Sequence, residues 1–229
     1  MRITAGMLGA LLACAALTGC TKTVTATAVP ADDVQSTASP RSSSKKPTST
    51  STPTPYLTET PTLEISGAAT PAGTKLKFGA QAVIPTFSRY AKGNLGFTVT
   101  VESVKAPDAD IDKLPLKDED KAKLRGKNFF FVRAVLENLD GVNFTQYQAP
   151  LFTASTKSGG WPGTLLGLSK VEVSGCAEEL FAPSDFTTKG AKFTTCRLYF
   201  GLASDPITSL KYTEKPYDRD NNKAVTWQS

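Results

Sequence analysis

The chain contains no histidine. That absence excludes Ser-His-Asp and Cys-His catalysis, and every zinc site that requires imidazole. Cysteine is scarce as well: there are four, and Cys14 and Cys20 lie within the first twenty residues. If that segment is processed, the remaining thiols are too few for a four-cysteine zinc site. No apolar run reaches the roughly 20 residues that a membrane-spanning helix needs. The charge imbalance is small, 26 Lys and Arg against 21 Asp and Glu, for a formal net charge of +5. No basic stripe is interleaved with aromatics. Composition therefore argues against nucleic acid as a partner and is compatible with anionic lipids or wall polymers.

What is present begins with a leader. Residues 1–20 read MRITAGMLGALLACAALTGC. Arg2 forms a short positive region, and Met7 to Leu17 is apolar and rich in Ala and Leu, which is the pattern of a secretory signal. Leu17-Thr18-Gly19-Cys20 resembles the lipobox of bacterial lipoprotein precursors. The resemblance implies that Cys20 receives a diacylglycerol on its thiol and becomes the new N-terminus. It also implies that the membrane, reached through the Cys20 lipid, is a partner and that the chain sits on the extracytoplasmic face. Two acyl chains give stable attachment, whereas one is marginal.

Residues 21–64 change character abruptly, and more than half of them are Ser, Thr or Pro. No period of 2 or 3.6 appears, and too few large apolar residues are present to offset chain entropy. The expectation is a disordered linker, with a span of ~35–40 Å as a flexible coil and ~140 Å if fully extended as polyproline II. It reads as a bare spacer or as an O-glycosylated stalk.

From residue 65 to residue 229, strand-like runs alternate with turn signals. Leu76–Phe78, Gln81–Phe87 (interrupted by Pro85), Phe97–Glu102, Phe129–Leu136, Leu151–Ala154, Phe193–Leu202, Ile207–Tyr212 and Ala224–Trp227 are the runs. Phe97, Val99 and Val101 alternate toward a core, and Phe129–Leu136 is apolar on both faces, as a central strand would be. One helix is expected over Leu116–Arg125, with Pro115 before it, Gly126 after it, acids leading and bases trailing. The pattern argues an all-β fold, an antiparallel β-sandwich with one short surface helix.

Cys176 and Cys196 remain after processing. Outside the membrane a disulfide is their natural state, and closing a loop of about 20 residues stabilises a fold by roughly 3 kcal/mol in the chain-entropy model. The segments Leu76–Val83, Gly96–Val101, Gly126–Arg133 and Leu136–Asn138 occur in an order that resembles the immunoglobulin-like domain of small actinobacterial lipoproteins, close to the uncharacterised DUF4352 type. The resemblance covers residues 73–228. It implies an immunoglobulin-like sandwich and an extracytoplasmic location, and it implies no reaction.

Candidate sites are sparse. Asp108, Asp110, Asp112 and Glu119 fall at positions 1, 3, 5 and 12 of a calcium-loop pattern, but Lys113 stands where the sharp turn needs Gly. The bland reading is an acidic loop leading into the helix, so no metal site is assigned. Trp161 lies in Ser158-Gly159-Gly160-Trp161-Pro162-Gly163, where an exposed ring would grip a partner or a sugar and a buried one would pack on the sandwich edge. Glu178 and Glu179 would point to opposite faces of a strand and cannot cooperate. No catalytic residue and no cofactor are assigned. The functional expectation is a noncatalytic module that binds an envelope protein or a wall component. The alternatives are a carrier with a cavity between its sheets and a histidine-independent hydrolase.

Overall fold

A computed structural model describes residues 55–165, 172–218 and 223–229. Everything below concerns the compact unit Ser51–Ser229. Cys20 and residues 21–54 of the expected linker lie outside the described residues.

The strands are β1 (Lys75–Lys77), β2 (Gln81–Phe87), β3 (Lys92–Lys105), β4 (Asn128–Asn138), β5 (Phe152–Thr156), β6 (Gly163–Thr164), β7 (Glu172–Val173), β8 (Cys176–Ala177), β9 (Lys192–Gly201), β10 (Ile207–Tyr212) and β11 (Val225–Gln228). They form a four-stranded sheet in the order β1-β11-β10-β5, a five-stranded sheet in the order β2-β3-β4-β9-β6, and the small β7-β8 ribbon. The pairing is antiparallel except between β1 and β11. The order is that of an immunoglobulin-like sandwich: β4, β9 and β6 stand as strands B, E and D, and β5, β10 and β11 as C, F and G. The all-β sandwich expected from the sequence is thus the fold.

The two sheets enclose an aromatic core. Phe97, Phe130, Phe144, Phe152, Phe186, Phe193, Tyr212, Tyr217 and Trp227 meet there, mostly edge to face, as in Phe152–Trp227 at 5.8 Å and Phe97–Tyr212 at 5.4 Å. Trp227 is fully buried, and its indole N–H donates to the Ala80 carbonyl at 2.8 Å. β4 is buried on both faces. Phe130, Val132, Ala134 and Leu136 enter this core, while Phe129 and Phe131 enter a second apolar layer on the opposite face of the same sheet.

That second layer is roofed by helices. α1 (Asp108–Lys113) and α2 (Asp118–Leu124) lie between β3 and β4 and contribute Ile111 and Leu124. α2 is the expected helix. α1 corrects the reading of an acidic loop, and the described residues hold two helices where one was expected. Asp108 and Asp110 occupy the first turn and Lys113 the last, which suits the helix dipole, but six residues are stable only because Ile111 is buried. The disulfide between Cys176 and Cys196 ties β8 to β9 inside this layer, with the Cα atoms 5.3 Å apart.

Pro85 does not break β2. Among the described residues the strand is an edge, paired only with β3. On its outer side Val83 exchanges hydrogen bonds with Thr70, accepting from Thr70 N–H at 2.9 Å and donating to Thr70 Oγ1 at 2.8 Å. Two residues on, Pro85 faces the same way, where a missing donor costs no ladder bond.

Residues 55–64, the last part of the expected linker, touch the turn between β2 and β3. Leu57 N–H donates to the Arg89 carbonyl at 2.7 Å, Lys92 Nζ donates to the Thr62 carbonyl at 2.6 Å, and Tyr56 stacks on Tyr90 at 5.1 Å. The β2–β3 turn therefore marks the end of the sandwich at which the preceding chain arrives.

Candidate functional site

At that end the mouth between the sheets opens into a groove of about 530 Å³. This lies within the size range of small-molecule sites. One wall is the end of β2 and the turn after it, with Phe87 and Arg89. The other is the end of β10, with Glu214 and Lys215, and the loop before β5, with Gln146 and Leu151 closes the third side. Phe87 and Leu151 are among its lining residues and are 36% and 47% exposed.

The floor is polar and uncharged. Thr86 Oγ1 donates to the Tyr147 hydroxyl at 3.2 Å. Tyr147 and Tyr212 are both buried, and desolvation drives their hydroxyls well above the ordinary tyrosine value, so both stay protonated. Glu214 stands at the edge of this floor. Burial raises its carboxyl above the ordinary value, opposed by the Leu151 N–H that donates to Oε1 at 3.1 Å and by the neighbouring Tyr212 hydroxyl.

Gln146 is the one non-glycine residue with positive φ among the described residues, at 57°. The left-handed conformation costs an L-residue roughly 1–2 kcal/mol. Gln146 N–H donates to the Ala182 carbonyl at 3.1 Å, so the loop around it holds the strained backbone in place, and the exposed Gln146 is among the residues that line the groove.

Two other hollows differ in kind. One of about 710 Å³ lies over the disulfide and the β7-β8 ribbon, beside Asp110, Arg133 and Glu179. Between the sheets, a slot of about 40 Å³ touches Val132, Phe152 and Tyr199, little more than the room one water takes in the liquid.

Trp161 is exposed to 83%, which corrects the reading in which it packs on the sandwich edge. Its loop has a stiff base: Ser158 donates from N–H to Asp205 Oδ1 at 2.7 Å and from Oγ to Oδ2 at 2.9 Å. The Ser158 N–H also holds the Asp205 carboxyl below its usual value. β6 pairs Gly163 with Phe200, and continuing that register sets Trp161 level with Leu202, itself 54% exposed. A Cβ at Gly163 would collide with the Phe200 ring. This tip is at the opposite end of the sandwich from the groove, beyond β9, and β3 alone runs about 45 Å between the two ends. The structure does not bring Trp161 and the groove together.

The calcium pattern is dispersed. Asp110 is buried and accepts the Ser174 N–H at 3.0 Å and hydroxyl at 2.8 Å, while Asp112 pairs with Arg125. Glu178 pairs with Arg197 at 3.0 Å. Among the described residues no group of three or more His, Cys, Asp or Glu converges as metal ligands would.

No family model and no curated protein sequence matches the chain. Among solved structures, that of MPT63, a secreted protein from Mycobacterium tuberculosis, is similar. It aligns over 68% of this chain and 96% of its own at 15% identity, with a TM-score of 0.38.

Sequence reading missed the groove. Phe87, Gln146 and Glu214 belong to three separate loops and strand ends, and none sits in a motif. The sequence Asn138-Leu139-Asp140-Gly141 is turn-like and announces a loop before Gln146, but not which side chain that loop presents.

Proposed function

We propose that this chain is a lipid-anchored, noncatalytic binding module on the extracytoplasmic face of the cell envelope. Residues 1–20 export it, Cys20 carries the lipid, and the Ser/Thr/Pro-rich segment spaces the sandwich from the membrane. The observation that carries the reading is the interior. Interlocked aromatic rings fill the space between the sheets and leave a slot of about 40 Å³ there, so among the described residues the space of a few hundred Å³ that a carrier needs is not enclosed within the sandwich; the larger groove is an open surface feature at its end. The groove, for its part, is lined by a single carboxylate, Glu214, whereas glycoside hydrolysis without histidine calls for two carboxyls about 5–9.5 Å apart. Binding is the activity these surfaces suit, and the disulfide fits an oxidising compartment.

Fractionation of cells expressing the full chain tests anchoring. Wild type should sediment with membranes, and Cys20→Ala should appear in the medium or remain unprocessed. Equal fatty-acid labelling of both would refute the lipid assignment. Binding is tested by co-sedimentation of the detergent-solubilised protein with purified wall material and, separately, with protein-free lipid vesicles. Saturable binding to wall material is expected; sedimentation with neither the wall nor any envelope protein fraction would refute the binding module.

A further inference from the structure

The chain that arrives at the β2–β3 end is held unevenly. Its root is firm. Ala69 is buried, Thr70 and Val83 exchange a hydrogen bond in each direction, and the buried Tyr217 donates its hydroxyl to the Thr70 carbonyl at 2.6 Å. Residues 61–65 precede that root. Pro61, Leu63 and Ile65 are half-buried and alternate with the exposed Thr62 and Glu64, as in an extended segment with one side toward the protein. Ile65 packs against the inner core, and Leu63 is among the residues that line the groove. Residues 55–60 form a tip in which every residue is exposed. Few contacts hold this outer part: the Leu57 N–H on the Arg89 carbonyl, Lys92 Nζ on the Thr62 carbonyl, and the Tyr56 ring stacked on Tyr90 with the Arg89 guanidinium 5.7 Å from its centre. A hollow of about 220 Å³, lined by residues 56–60 and 87–89, remains where tip and turn meet.

A tight turn separates root from tip. Ala69 N–H donates to the Ser66 carbonyl at 3.1 Å, and within that turn Gly67 has a φ of 60°. Glycine adopts this conformation without strain, whereas an L side chain disfavours it. A Cβ at Gly67 would meet no atom within 4 Å, so the backbone, and not packing, calls for glycine there. The contacts beyond the turn are exposed, and water competes for each of them. A segment with so little buried apolar surface opens at a small part of the free energy of global unfolding.

We propose that residues 55–65 are a hinged strap, which docks on β2 and the turn after it and swings open about Gly67 while the sandwich stays folded. Docked, the strap adds Leu63 to the lining of the groove; open, it withdraws that residue. The preceding chain joins at the tip. A pull along that chain therefore peels the strap from Tyr56 inward, contact by contact, before load reaches Thr70. The strap lies within the segment expected as linker, so the folded part begins near residue 55. The inference goes beyond the binding-module reading and depends on neither the lipid nor a ligand.

Amide hydrogen exchange of the full chain in mild detergent tests it. The Leu57 N–H should exchange more slowly than an unstructured chain, yet at least roughly tenfold faster than the Val83 N–H, because it opens locally. Tyr56→Ala should speed Leu57 exchange several-fold, with the Thr70 and Val83 amides and the unfolding midpoint unchanged. Gly67→Ala should also speed Leu57 exchange, although the added methyl touches nothing, because the docked strap then holds a strained backbone. Exchange of Leu57 at the rate of an unstructured chain would overturn docking. Equal rates at Leu57 and Val83 would overturn the hinge, since the segment would then open only with the sandwich. The hinge assignment also fails if Gly67→Ala leaves Leu57 exchange as in wild type, or if Tyr56→Ala speeds exchange at Val83 as much as at Leu57.

Discussion

The five-stranded sheet has two apolar faces, and they are covered in different ways. Toward the other sheet, Phe130, Leu136 and Phe97 meet a complete second layer of rings, including Tyr212 and Trp227. On the opposite face, Phe129 and Phe131 are covered by two short helices and a ribbon of two-residue strands. Little secondary structure is available there, so covalent and polar ties do part of the work. The Cys176–Cys196 bridge crosses that layer, and Asp110 on α1 grips Ser174 next to it through both carboxylate oxygens. A sheet face with a full partner holds by packing alone. A face with a thin cover is pinned, because short elements cannot offset their own ordering entropy by burial.

Mutations can sharpen that contrast. Phe130→Ala should cost about 4 kcal/mol, since the opposing sheet cannot collapse into the space, whereas Phe131→Ala should cost about 3 kcal/mol, because the segment over it can settle. Denaturant midpoints at unchanged slope measure both, and an equal or reversed order would break the comparison. Replacing Cys176 and Cys196 together by Ser should cost roughly 3 kcal/mol. The amides of α1 and β7 should lose hydrogen-exchange protection before those of β10; uniform loss would mean that the bridge supports the whole sandwich rather than its outer layer.

The smallest effect belongs to Glu214, at the open mouth of the inner core. Its folded carboxyl is raised above the unfolded value by burial, so the folded state holds its proton to higher pH. That contribution is fully present below about 4.5 and is lost as pH rises through the folded value. Stability should therefore decline slightly across that window in wild type, and Glu214→Gln should remove the decline. A melting-temperature profile over pH 4–7 that is the same in both proteins would show the carboxyl to be solvated like any surface acid.

The sheet framework was legible from periodicity and punctuation. Strict alternation in Phe97-Thr98-Val99-Thr100-Val101 matched β3, and the two-faced run at Phe129–Leu136 matched the strand that is buried on both sides. Pro85 misled because a single sequence does not say that a strand is an edge. The acids of Asp108–Asp112 misled because six residues have no helical preference strong enough to show; burial of Ile111 decides the matter. Trp161 could be placed in a loop, but its exposure depended on whether the sandwich offered a recess for the ring.

Local chemistry, then, was enough to mark strands whose side chains alternate with period two and a pair of thiols that bond to each other; it also gives the leader and the Ser/Thr/Pro-rich linker as expectations. These rest on composition and on neighbours along the chain. The groove does not. Phe87, Gln146 and Glu214 come from three segments whose proximity exists only after β2, β5 and β10 have taken their places in two stacked sheets, and the left-handed backbone of Gln146 is held by the Ala182 carbonyl from a fourth. Long-range pairing decided the site, because no one of its segments contains enough of it to leave a pattern in the sequence.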